Sequence, residues 1–246
     1  WVDYIYLDTD ERRRFAQQSH EYLIEQVQEQ NGLGTPSQVL NFNHPVKELV
    51  WTGPYANTGA AYIYDADGSN EIKLTASDKV NYDNFGRSVA INGSKAVVGS
   101  PYNDALGSTV GRAYIYDVDG TNEVILNPLA GTYITNAYYG WNVALTSTKV
   151  IVSAYRNQNP FNFSQSGTIY IYDHDGTNGE HVYAYDPNWY DYYGTSLAAS
   201  GSYLAIGAPY DDDRGSSSGS TYIYNLDGSG IFAWGAKLFQ GTIDPY

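Results

Sequence analysis

Cysteine and methionine are both absent from the 246 residues. Without cysteine there is no disulfide, no thiolate metal ligand and no thiol redox chemistry. Its absence fits synthesis in a reducing compartment. Cationic side chains are scarce: 13 Lys and Arg stand against 27 Asp and Glu, for a formal net charge of -14. So acidic a chain offers no basic face, so neither nucleic acid nor membrane insertion is expected. No apolar run is long enough to cross a bilayer, and no leader-like segment opens the chain. With Trp at position 1 and no methionine, the chain is expected to be a piece of a longer protein.

Tyrosine and glycine are abundant instead, 26 and 25 residues, which favours strands and tight turns. The tyrosines recur in a phrase: Tyr62-Ile63-Tyr64-Asp65, Tyr114-Ile115-Tyr116-Asp117, Tyr170-Ile171-Tyr172-Asp173 and Tyr222-Ile223-Tyr224-Asn225. Successive copies start 52, 56 and 52 residues apart by their numbers. Each is followed by Asp-Gly, at Asp67-Gly68, Asp119-Gly120, Asp175-Gly176 and Asp227-Gly228. A period near 50 residues is the signature of a repeat architecture. The Asp-Gly pairs read as turns, because glycine accepts a positive φ.

One repeat shows the plan. Phe85 to Ile91 reads as a strand, Asn92-Gly93 as a hairpin turn, and Lys95 to Gly99 as a nearly all-apolar second strand. A polar loop leads to a third strand, Gly111 to Tyr116, and Asp119-Gly120 turns it into a fourth, Glu123 to Leu126. Tyr139 to Leu145 and Tyr193 to Leu197 take the first-strand place later on. Four antiparallel strands form one blade of a β-propeller, and blades must stack to cover their faces. The first unit lacks the Phe-Gly strand, starting at Leu49-Val50-Trp51, and the last runs out at Ile231 to Trp234. The expectation is an all-β propeller of about four four-stranded blades over 53–233. Segment 1–52 is expected to be a short α/β flank, with a strand over Val2 to Leu7, a helix within Arg12 to Gln28 and a strand over Val46 to Trp51.

The repeats resemble FG-GAP repeats, the blade units of integrin α-chain propellers. Phe85-Gly86 and Gly207-Ala208-Pro209 carry the likeness, with Gly99-Ser100-Pro101 a near match. Integrin-type repeats place an Asp-rich calcium loop between these elements. Here Asn92-Gly93-Ser94, Thr146-Ser147-Thr148 and Ser200-Gly201-Ser202 stand there, so calcium is not carried over. The flanks resemble the major capsid proteins of nucleocytoplasmic large DNA viruses, double jelly rolls that form trimeric capsomers. Leu7 to Gln17, Ser19 to Gln26 and Asn43-His44-Pro45-Val46-Lys47-Glu48-Leu49-Val50-Trp51 carry that likeness, and Ala236-Lys237-Leu238 through Asp244-Pro245-Tyr246 is a looser match. Segment 234–246 is therefore expected to return to the jelly roll, with the propeller as an insertion in one of its loops.

The resemblance implies a structural virion protein whose propeller contacts host or neighbouring capsomers. Its implied partners are its own copies in a homotrimer, neighbouring capsid proteins and a host surface glycan or protein. Its implied location is the capsid surface, after synthesis in host cytoplasm. The alternative is an adhesion or lectin-like FG-GAP module outside any capsid. No catalytic, cofactor or metal residue is assigned. Asp211-Asp212-Asp213 can supply oxygens to a hard cation only with help from backbone and water, and reads as a solvated acidic loop. Tyr138, Trp189, Tyr190 and Tyr192 lie in loops before the Phe-Gly place, suited to sugars, to a protein partner or to wedging between blades. His20, His44, His174 and His181 lack ligand spacing. Asn92-Gly93-Ser94 and Asn162-Phe163-Ser164 match the glycosylation pattern, which matters only in a secretory lumen.

Overall fold

The computed structural model describes residues 48–53, 58–158, 164–226, 237–239 and 242–244. The strand expected over Val2 to Leu7 and the helix within Arg12 to Gln28 lie outside them. Among the described residues all regular structure is β, and Val46–Tyr246 form one compact unit.

Four antiparallel sheets follow one another along the chain. The first contains β1 (Glu48–Gly53), β2 (Ala60–Asp65) and β3 (Ile72–Leu74). The second runs β4 (Ser88–Asn92), β5 (Lys95–Ser100), β6 (Arg112–Asp117) and β7 (Val124–Leu126). The third repeats this with β8 (Val143–Leu145), β9 (Lys149–Ala154), β10 (Thr168–Asp173) and β11 (Glu180–Val182). The fourth has five strands: β12 (Ser196–Ser200), β13 (Tyr203–Ala208), β14 (Ser220–Asn225), β15 (Lys237–Phe239) and β16 (Thr242–Asp244). The result is a small β-propeller. Its β1 pairs with β2 as β5 pairs with β6, so among the described residues the first sheet has no strand in the Phe-Gly place.

The Tyr-Ile-Tyr phrase supplies the packing. Side chains alternate across a strand, so both tyrosines face one way and the isoleucine the other. Three cores lie between consecutive sheets. Ala61 and Leu74 meet Phe85, Tyr114 and Tyr116; Ile115 and Leu126 meet Tyr139, Tyr170 and Tyr172; Ile169 and Ile171 meet Tyr193, Tyr222 and Tyr224. Each isoleucine face thus packs on the tyrosine face of the next blade. The tyrosine hydroxyls reach polar partners there: Tyr172 donates to the Asn127 carbonyl at 2.8 Å and Tyr139 donates to Tyr172 at 3.1 Å. A buried phenol without a partner would cost free energy, so these bonds fix how one blade sits on another.

Contrary to the sequence reading, Phe85-Gly86 and Tyr139-Gly140 lie outside the strands. The strands begin two or three residues later, and Phe85 and Tyr139 form parallel bridges to Gly59 and Gly111 of the preceding repeat. Gly111 sits at φ +89, and a Cβ there would lie 2.1 Å from the Tyr139 carbonyl oxygen. The Tyr139 N–H donates to the Val110 carbonyl at 2.8 Å across the same seam.

The division at 52/53 falls within β1, and the division at 233/234 precedes β15 and β16, which extend the last sheet. Ile231 to Trp234, where the last unit was expected to run out, lies outside the described residues; β15 lies beside β14, pairing Thr221 with Leu238 and Tyr222 with Lys237. The same register joins Ala61 to Leu74 and Tyr62 to Lys73 in the first sheet. Lys237-Leu238 is therefore the counterpart of Lys73-Leu74.

Replacing Gly111 by Ala forces a side chain into the left-handed region and against a neighbouring backbone. It is expected to destabilise the fold by about 3 kcal/mol or more, seen as a lower urea midpoint. Gly131→Ala, at a positive-φ glycine with open space around it, is expected to cost less because only the backbone penalty applies.

Candidate functional site

The Asp-Gly turns close first, and they consume most of their own polar groups. Asp67 accepts the Ser69 N–H at 2.9 Å, and Asp119 and Asp175 accept those of Thr121 and Thr177 at 3.0 and 2.9 Å. Asp117 and Asp173, in the last positions of β6 and β10, pair with Lys95 and Lys149, each at 2.6 Å. The Ser69, Thr121 and Thr177 hydroxyls also donate to Asp67, Asp119 and Asp175, and these bonds, with those N–H groups, hold the three carboxyls below the usual range. The turns are structural, as their sequence implies.

A second polar cluster recurs where the first tyrosine of each phrase ends. In the second sheet Tyr114 donates to Asp78 at 2.8 Å, Arg112 pairs with Asp78, and the Asn103 amide donates to Asp83 at 3.0 Å. In the third, Tyr170 donates to the Thr132 carbonyl at 2.9 Å, and the Asn157 amide lies 3.1 Å from the Tyr170 hydroxyl. In the fourth, Asp186 and Asp211 each lie 2.9 Å from the Tyr222 hydroxyl. Asn103, Asn157 and Asp211 occupy one place, 54 residues apart by their numbers.

Among the described residues, the fourth cluster alone carries a fully buried cation. Lys237 Nζ lies 2.7 Å from Asp186, 2.8 Å from Asp211 and 2.6 Å from Asp213. An ammonium has three N–H donors, and three carboxylates meet it here. Its side chain is wholly buried, and that of Asp211 is 2 % exposed. Burial works against the Lys237 charge, but the carboxylates outweigh it and hold its pKa above the ordinary lysine value. Burial pushes the Asp186 carboxyl up. The reading of Asp211-Asp212-Asp213 as a solvated loop therefore fails for buried Asp211; Asp212, which accepts the Ser217 N–H, and Asp213 are exposed, although Asp213 also pairs with Lys237. Asp211 turns inward because it replaces an asparagine of the recurring cluster. No group of His, Asp and Glu suited to a metal occurs among the described residues.

Asp191 is close by in the same electrostatic field. Its Oδ2 accepts the Asn188 N–H at 2.6 Å, and its buried Oδ1 has no hydrogen-bond partner among the described residues. Burial, opposed by that N–H and reinforced by the charge of Asp211, pushes its pKa up to about 6.

The loops that build these clusters also carry rings. Tyr102, Tyr138, Tyr155, Tyr192 and Tyr210 follow one another with centroids 5.3, 5.8, 5.4 and 5.2 Å apart. Trp141 packs on Tyr155 at 4.6 Å, and Tyr190 joins Tyr192 to Trp189. The Arg87 guanidinium lies 4.2 Å from the Trp141 centroid, and that of Arg156 lies 5.2 Å from Tyr138. Trp189, Tyr190 and Tyr210 are about half exposed, at 52, 49 and 50 %. Tyr138, Tyr190 and Tyr192 sit at φ 56, 66 and 55. Bulky side chains seldom adopt that region, so the surrounding packing holds them there.

All four aromatic residues singled out in the sequence thus belong to one band. Tyr138 does the bridging between blades expected of a wedge. Tyr102, Trp141, Tyr155, Tyr210, Arg87 and Arg156 were not picked out with it. The usable signal was their shared offset from the Phe-Gly place and from the end of the second strand. Of the histidines, His174 Nε2 lies 3.1 Å from the Thr146 carbonyl, and His181 packs beside Tyr170 and Tyr183; His20 and His44 lie outside the described residues. Asn92-Gly93 is the β4–β5 hairpin turn; Asn162 lies outside the described residues.

Comparison with known proteins gives two kinds of match. The FG-GAP repeat family matches residues 69–116, 130–172 and 177–224. The major capsid protein of Pyramimonas orientalis virus is 50% identical over 80 residues, covering 32% of this chain and 20% of that protein. That of Phaeocystis pouchetii virus is 37% identical over 133 residues, covering 45% and 25%. That of Paramecium bursaria Chlorella virus 1 is 35% identical over 150 residues, covering 47% and 34%. The chain thus spans a fifth to a third of the length of these relatives. A solved structure, TolB from Acinetobacter baumannii, overlaps 75% of this chain and 39% of its own at 16% identity and a TM-score of 0.43.

Lys237→Met leaves three carboxylates facing one another and is expected to cost about 3–5 kcal/mol near neutral pH, measured by urea denaturation. The loss should shrink as pH falls into the carboxylate range. Asp191→Asn should act oppositely. The folded Asp191 binds its proton more tightly than the unfolded chain does, so its charge lowers stability as pH rises from the ordinary aspartate value to about 6. The variant is expected to be more stable at pH 7, by up to about 3 kcal/mol, and to show a flatter pH dependence across that window.

Proposed function

The chain belongs to the FG-GAP repeat family. From that premise we propose that it is the propeller-bearing part of a viral major capsid protein, with the propeller inserted in a surface loop of a jelly roll. Similarity to major capsid proteins of several giant viruses, at 35–50% identity, carries the reading and supports a structural role in the virion. Residues 1–52, with the segment from Lys237 on, belong to or adjoin the jelly roll in this reading.

The geometry supports it in one respect. The capsid-like stretch ending at Trp51 enters β1, and the capsid-like Ala236-Lys237-Leu238 enters β15. Both flanks are thus strands of the first and last sheets rather than loose tethers. Lys237 then ties the outgoing segment to three carboxylates of the last blade. An insertion held this way presents its loops in a set orientation.

No residue performs chemistry in this reading. Trimeric capsomers repeat the propeller across the shell, where weak contacts add through multivalency. The surface loops contact neighbouring capsomers or the host. Cryo-EM of the source particle tests the assignment. Propeller density is expected on the outer face of each capsomer, three copies per trimer; density at another location, or none, overturns it.

A further inference from the structure

The two ends of the row of sheets differ from its middle. Among the described residues, cores join the first sheet to the second, the second to the third and the third to the fourth, and none joins the fourth to the first. Two faces are left over: the tyrosine face of the first sheet and the isoleucine face of the fourth. In the second and third sheets both kinds of face are buried, with Ile115 and Ile171 on one and Tyr114 and Tyr170 on the other each at 2 % exposure or less. At the ends the same places are more open. Tyr62 and Tyr64 are only partly buried, and so are Ala205, Ile223 and Leu238. Ala198 is exposed, whereas Ala144, at the same place in the third sheet, is buried. Tyr116 and Tyr172 reach carbonyls of the preceding repeat, at Thr75 and Asn127, while their counterpart Tyr64 bonds Glu71 of its own sheet.

The sequence of the two leftover faces says what covers them. In each inner core the residue paired with the isoleucine of one sheet meets the residue paired with the first tyrosine of the next. These are Val97 with Val152, then Ile151 with Ile206. At the ends the two places are held by Ala205 and Trp51. One has lost volume and the other has gained it. Cores tolerate substitutions best when total volume is conserved, so a large residue on the tyrosine face and a small one on the isoleucine face form a matched pair. Two isoleucine faces set against each other would lack that bulk, and two tyrosine faces would have too much of it.

We propose that the isoleucine face of the fourth sheet docks on the tyrosine face of the first sheet in a second copy of this chain. The contact repeats the one that the chain makes three times within itself. It joins unlike faces, so it is a head-to-tail interface that passes from copy to copy. Among the described residues the first sheet has no strand in the Phe-Gly place, so the contact lacks the backbone bridge of the inner seams and is reversible. The proposal goes beyond the capsid reading and does not depend on it.

Sedimentation velocity on the full chain tests it. The chain is expected to be monomeric near 1 µM and to associate toward about 100 µM, the range of a weak protein contact. Ala198→Lys blocks the isoleucine face, and Tyr64→Lys blocks the tyrosine face. Each variant alone is expected to stay monomeric at about 100 µM. Mixed in equal amounts they are expected to form a dimer and nothing larger, because each still carries the face that the other has lost. Tyr82→Ser, at a ring 74 % exposed and outside both faces, should associate as the unaltered chain does. Near-UV circular dichroism reports whether each variant is folded, and the dilution series of the unaltered chain needs no variant. A monomer at every concentration, undiminished association of either variant, or a mixture that stays monomeric overturns the proposal.

Discussion

Close contact of backbone with backbone at each blade junction is the constraint on which the propeller depends. Gly59 and Gly111 approach Phe85 and Tyr139 so nearly that a single methyl group would collide with a carbonyl. Side chains alone would let two sheets slide; a parallel bridge between them does not. Once that seam is closed, the alternation within Tyr-Ile-Tyr sets the rest. The isoleucine of one blade has only the tyrosine face of the next to bury against, and the tyrosine hydroxyls select the register through single acceptors such as the Asn127 and Thr132 carbonyls. A repeat built in this way carries its assembly instruction in every copy, which is why no blade stands alone.

The last blade departs from the others, and the departure has an electrostatic logic. An asparagine at its recurring place would be neutral, as Asn103 and Asn157 are; Asp211 brings a buried negative charge. Asp186 and Asp213 add two more carboxylates. Such a cluster would be untenable without a cation, and the chain supplies one from the strand it adds last. The position of Lys237 opposite Tyr222 is already occupied by a cation in the first sheet, where Lys73 faces Tyr62. What is new in the fourth sheet is the acid around it. The strand that leaves the propeller is therefore the strand that the acid cluster needs, and neither is stable in place without the other.

Much of the architecture was legible because the repeat spells it out. Period, Asp-Gly turns and strand alternation all act locally, so four sheets followed from them directly. The Phe-Gly element misled, since its glycine and the positive φ before it take it out of the strand and into a bridge with another blade; that partner lies some 26 to 28 residues away by number, at Gly59 for Phe85 and Gly111 for Tyr139. The final strand was hidden by spacing. Lys73 follows Tyr62 by 11 positions and Lys237 follows Tyr222 by 15, so the match between Ile-Lys-Leu and Ala-Lys-Leu slipped out of step and the segment looked foreign to the repeat. The burial of Asp211 was hidden for a different reason: three consecutive acids look solvated until a cation distant in sequence is placed among them.

The aromatic band shows how a repeat can carry two programmes at once. Buried tyrosines of the phrase and surface tyrosines of the loops are the same residue type, but they answer to different constraints. Tyr114, Tyr170 and Tyr222 are locked by hydrophobic faces and hydroxyl acceptors, and their positions barely vary between blades. The surface rings vary: the place of Tyr138 and Tyr192 holds Asn84 in the second sheet, and the place of Tyr102 and Tyr210 holds Arg156 in the third. Residues free to change from blade to blade are not required by the packing that every blade shares. Yet the variants chosen keep one ring in contact with the next from Tyr102 to Tyr210. Tyrosine, with an apolar ring and a hydroxyl that can stay in water, suits ring contacts that are only half buried.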